Sequence, residues 1–96
     1  MKEPLSNKAA RKLLTECLEN DRVVLTSIHL DERMDERGVD FADIFATLWA
    51  GHVSQHKQDE NGVWFYNAVT KRLLVGFLFR TEEDGRVVVV ATVIPQ

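Results

Sequence analysis

The chain has 96 residues, enough for one domain and one apolar core without metal or disulfide staples. Its apolar and charged fractions are those of an ordinary globular protein, and no apolar run approaches the about 20 residues of a membrane span. Net charge is −3, with seven Lys/Arg against ten Asp/Glu in residues 1–50 and five against five after that. This balance argues against a general nucleic-acid binder and leaves room for a local basic site.

The start, MKEPLSNKAARK, lacks the apolar stretch of a signal peptide. Cys17 is the sole cysteine, so no internal disulfide can form, and the expected location is the cytoplasm. Cys17 falls in an apolar helical row, where a small core residue is expected rather than a nucleophile.

The first helix is predicted to start at Ser6, an N-cap just after Pro4, and to end at Asn20 and Asp21. Ala9, Leu13 and Cys17 form one row and Ala10, Leu14 and Leu18 the next, together an apolar face. Val23, Val24 and Leu25 are a short extended stretch. A second helix is predicted over 27–37, with Gly38 at the left-handed position that ends it. A third begins at Asp40, with Asp43 completing a capping box. Its apolar positions are Phe41, Ile44, Phe45, Leu48 and Trp49, and Gly51 stops it.

Strand patterns follow over 52–57, 63–69, 73–80 and 86–94, with turns at 59–62, 70–72 and 83–85. Short turns make such strands antiparallel neighbours. The predicted architecture is therefore α+β: N-terminal helices, then a three- to four-stranded antiparallel sheet. Residues 1–96 form a single domain, divided into an N-terminal helix (1–22), a two-helix segment (23–51) and the sheet (52–96).

In the last strand, alternation puts Val87, Val89, Ala91 and Val93 on one face, and Val88, Val90 and Ile94 on the other with Arg86 and Thr92. Both faces are apolar. A second face of this kind calls for a cover: the N-terminal helix, a second copy or a partner protein.

The chemistry concentrates in SIHLDERMDERG. At about 100° per residue, Arg33 falls about 40° and Arg37 about 80° from His29. Leu30 and Met34 come next, and Asp31, Glu32, Asp35 and Glu36 take the back. A solvated charged helix is the bland reading. The sorting favours a cationic edge beside a buried stripe, because Arg33 next to Arg37 repels unless an anion lies between. Cleavage of RNA through its 2′-hydroxyl needs a base, cations for the phosphorane and an acid for the leaving oxygen, and no cofactor. His29 titrates in the right range, and the guanidinium forks of Arg33 and Arg37 match phosphate oxygens. Secondary candidates for substrate binding are Tyr66, Lys71, Arg80 and Thr92. Trp64 and Tyr66 could stack on bases, although core packing is the ordinary use of both. His52 and His56 would lie about 13 Å apart on a strand, too far to share a metal. No metal site is expected.

The runs TSIHLDERMDERGV and DFADIFATLWAGHV, with the closing RVVVVATVIP, resemble the bacterial domain-of-unknown-function family 4258 over about residues 23–95. That family is similar to the ribonuclease-like fold of barnase, colicin nucleases and the RelE and MqsR toxins. The resemblance implies an RNA-cleaving toxin or a descendant, neutralised by an antitoxin. His29, Arg33, Arg37 and Thr92 match its motif positions, while Leu30 stands where Ala is usual and Ile94 where an aromatic is common. The expected function is thus a toxin-like, metal-independent endoribonuclease. The alternative is a non-catalytic binding module of the same fold, using its apolar sheet face for a partner or a homodimer. An RNA-binding regulator without cleavage is a third reading.

Overall fold

The computed structural model describes residues 2–25 and 38–96. Ser6 caps the first helix, α1 (Asn7–Glu19), its Oγ accepting from the Ala9 amide at 3.1 Å. Of the two apolar rows, Ala10, Leu14 and Leu18 are buried, joined by Cys17 from the other. α1 ends in a Schellman turn. Arg22 N donates to Cys17 O at 2.8 Å and Asp21 N to Leu18 O at 3.4 Å, with Asp21 at φ 56°. An aspartate here tolerates the left-handed conformation that glycine usually supplies.

This turn launches β1 (Val23–Leu25), and with it comes a correction to the predicted sheet. Among the described residues five strands form, not three or four, and the sheet is mixed rather than antiparallel. The others are β2 (His52–Gln58), β3 (Trp64–Val69), β4 (Leu73–Glu82) and β5 (Gly85–Pro95), in the order β1-β5-β4-β3-β2. β2 to β5 make the expected antiparallel meander, while β1 lies parallel to β5 with Val23 opposite Val88 and Leu25 opposite Val90. Arg22 fixes this pairing. Its carbonyl accepts from Val88 N at 2.9 Å, its Nε donates to Arg86 O at 2.8 Å, and its guanidinium grips both Asp84 carboxylate oxygens at 2.9 Å.

Asp40 caps the second described helix, α2 (Phe41–Ala50), and the capping box with Asp43 is complete. The buried stripe is narrower than predicted: Ile44, Thr47 and Leu48 are buried, Phe45 is half-buried, and Phe41 and Trp49 stay about half exposed at 49% and 48%. Thr47 can be buried because its hydroxyl donates to Asp43 O at 2.9 Å. Gly51 ends α2, but in an extended conformation (φ −72°). Glycine is needed there for close approach, since a Cβ would sit 2.5 Å from Thr47 O and 2.9 Å from Val69 N. Arg11 of α1 closes the same end, donating to Leu48 O at 2.6 Å and to Gly51 O. Burial pulls its pKa down, while these two carbonyls replace the lost water.

α1 and α2 pack on one face of the sheet, over Tyr66, Ala68, Val75, Phe77, Phe79, Val88, Val90 and Val93. Val88 and Val93 share that face although strict alternation would oppose them. The register slips between Gly76 and Phe77, leaving Ala91 without a partner, and this bulge switches the phase of β5. Leu74, Leu78, Val89 and Ile94 share the other face with Asn67, Gly76 and Thr92.

Candidate functional site

His29, Arg33 and Arg37 lie outside the described residues. The structure gives the frame on either side. Leu25 ends β1, half-buried and paired with Val90. Gly38 has φ +67°, the left-handed conformation that the sequence assigns to it as a helix stop.

The four secondary residues do not converge. Tyr66 is fully buried, its ring centroid 5.8 Å from that of Phe77 and 5.3 Å from that of Phe79. Its hydroxyl donates to a Glu3 carboxylate oxygen at 2.7 Å and accepts from Leu5 N at 3.1 Å. The ring therefore sits in the core and the hydroxyl ties down the N-terminal segment. Burial first, and then the bond to Glu3, push the phenol pKa up to about 12. Arg80 is exposed and donates to Glu82 Oε1 at 2.8 Å and 3.0 Å. Thr92 faces the same side of the sheet as Arg80, lying over Gly76, where a Cβ would meet its Cγ2 at 2.5 Å. Gly76 and Arg80 are four residues apart on β4, about 13 Å. Lys71 stands exposed at the tip between β3 and β4, at the far end of that strand.

That tip borders a groove that sequence reasoning did not find. It holds about 310 Å³ and is bounded by Val39, Ala46 and Ala50 on the helix side and by Thr70, Lys71 and Leu73 on the strand side. The lining comes from segments far apart in sequence, so no local motif marks it.

Elsewhere Cys17 and Asp84 have structural uses. Cys17 is buried, with its Sγ 3.6 Å from Arg86 O, and burial pushes its thiol pKa up and away from reactivity. The bond from Arg22 holds the Asp84 carboxyl below its ordinary range. Among the described residues, no group of three or more His, Cys, Asp or Glu is placed to hold a metal ion, and no helix is long and apolar enough to cross a membrane. No protein-family model, curated protein or solved structure matches the chain.

Proposed function

We propose that the protein cleaves RNA as a toxin-type endoribonuclease and that a protein antitoxin restrains it. The observation that carries this is the sequence pattern His29–Arg33–Arg37, which sorts the cations to one edge of the helix that the sequence predicts over 27–37. A histidine in a helix's first turn, with an arginine one turn on, is biased toward the neutral form. Neutral His29 takes the proton of the ribose 2′-hydroxyl, and the 2′-oxygen attacks phosphorus. Arg33 and Arg37 bind the phosphorane oxygens. The bond to the 5′-oxygen breaks, water protonates that oxygen, and a 2′,3′-cyclic phosphate remains.

Expression in a bacterial host should arrest growth, and His29→Ala should relieve the arrest. Purified protein should cut an RNA oligonucleotide and spare the same oligonucleotide with a 2′-deoxy at the cut site. Equal toxicity of His29→Ala, or equal cutting of the deoxy linkage, would defeat the mechanism. One observation favours the non-catalytic binding module: the register gathers Leu74, Leu78, Val89 and Ile94 on the sheet face away from α1 and α2. A fixed-stoichiometry complex with a neighbouring gene product, with RNA left intact by the free protein, would decide for that reading.

A further inference from the structure

The groove between α2 and the β3–β4 tip combines an apolar slot with a cationic mouth. Ala46 and Ala50 stand one turn apart on α2, and their small side chains leave the space open. Leu73 and Thr47 line it and are themselves only 3% exposed. The Thr47 hydroxyl already bonds Asp43 O, so the slot suits a flat, weakly polar group.

The mouth carries Lys71 and Arg72. Arg72 reaches Asp43 Oδ1 only at 3.7 Å, with its side chain 82% exposed. Such a pair contributes almost nothing and yields easily to a better anion. Asp43 Oδ2 accepts from Asp40 N at 3.2 Å in the capping box of α2, which leaves Oδ1 toward Arg72. Lys71 has no ion-pair partner among the described residues. At about 310 Å³ the space is at the lower end for small-molecule sites, enough for one base and its sugar. A docked amphipathic helix would need anchors spread over several turns instead. Val39 at the rim follows Arg37 by two positions in the chain, so the groove adjoins the cationic row in sequence.

We infer that this groove is a subsite for one nucleotide of single-stranded RNA, with the base against Ala46, Ala50 and Leu73 and the phosphate on Lys71 and Arg72. As the seat of a nucleotide near the cut bond, it rests on the reading of the protein as a ribonuclease. The test is an amide NMR titration of the full chain with uridine and adenosine 5′-monophosphates, and with inorganic phosphate as control. Saturable shifts are expected at Ala46, Ala50 and residues 70–73 with a nucleotide, and at 71 and 72 alone with phosphate. Ala46→Leu, which fills the slot, and Lys71→Glu, which reverses the charge, should each weaken nucleotide binding about tenfold.

Absence of saturable shifts up to about 10 mM, a Kd far weaker than most metabolite sites, would overturn the inference. So would unchanged binding by a well-folded Ala46→Leu variant, or equal binding of a nucleoside lacking phosphate. If the wild type cuts RNA and both groove variants cut it equally well at subsaturating RNA, the subsite is refuted and the ribonuclease stands. If the groove titrates as expected but RNA stays intact, the nucleotide site stands and the ribonuclease is refuted.

Discussion

Tyr66→Phe separates a core anchor from a base-stacking residue. The substitution keeps the ring against Phe77 and Phe79 and deletes only the hydroxyl, which donates to Glu3 at 2.7 Å and accepts from Leu5 N at 3.1 Å. A hydrogen bond to a charged acceptor is worth about 1.5–3 kcal/mol, and part of it returns when the half-buried Glu3 rehydrates. The expected net loss is about 2 kcal/mol, a fall in Tm of roughly 8–16 °C for a chain of this length. Tyr66 is also the only tyrosine, so its ionisation reads out alone in the 295 nm absorbance. The folded protein should titrate near pH 12 rather than 10. A folded pKa raised above the unfolded value contributes stability that is whole below about pH 10 and is lost between about pH 10 and 12. Two units correspond to at most ~2.7 kcal/mol. The alkaline decline should therefore be shallower in Tyr66→Phe. Glu3→Gln should lower the pKa without returning it to 10, because burial is the larger cause. A phenol that titrates near 10 in the folded wild type, with the Tm of Tyr66→Phe unchanged, would refute the tether.

Gly51→Ala should destabilise by about 3 kcal/mol, measured by urea unfolding. The clashing atoms are backbone of α2 and β3, which cannot rotate away. A cost below about 1 kcal/mol, or a gain of the size that restricting the unfolded chain alone would give, would contradict the close approach. Gly76→Ala should behave differently, because the atom it meets, Thr92 Cγ2, is the end of a side chain. The single variant should lose about 1–2 kcal/mol, and pairing it with Thr92→Ala should recover most of that. A double variant whose losses simply add would mean that these residues are not stacked across β4 and β5.

What could be read from the sequence was local. Ser6, the Asp40–Asp43 box and the stop at Gly51 each act within a turn or so of helix, and the structure places α1 and α2 between those signals. The meander was equally legible, because short turns force antiparallel neighbours. The parallel strand was not. β1 is three residues long, its partner lies at the other end of the chain, and no turn joins them. The anchor for that pairing, Arg22 on Asp84 and Arg86 O, is a single arginine whose partners only the fold reveals. The bulge at Ala91 left no glycine to announce it, so strict alternation misassigned Val88 and Val93. Tyr66 illustrates the same limit in the site. Aromatic character suggests stacking on a base, but only the tertiary pairing with Glu3 and Leu5 shows how its hydroxyl is used.

The candidate chemistry sits between two fixed points, and this makes its test clean. At one end, Leu25 pairs with Val90, while Arg22 locks the start of the same strand to β5 and Asp84. At the other, Asp40 begins α2 through a box that uses only Asp40 and Asp43. Among the described residues, the hydrogen bonds at these two points join Arg22 to Asp84, Arg86 and Val88, and Asp40 to Asp43. Thermal unfolding of the His29, Arg33 and Arg37 variants, measured beside the proposed RNA cleavage, should show the described frame standing, and an unchanged Tm with lost cleavage would assign the loss to chemistry. A frame fixed on both sides is also what a phosphate site requires, since cations that drift by an ångström lose the phosphorane geometry they are meant to match. Arg22→Ala follows the opposite logic. It loosens the pairing of β1 with β5, so it should lower stability together with the proposed RNA cleavage, whereas His29→Ala should lower the proposed cleavage alone.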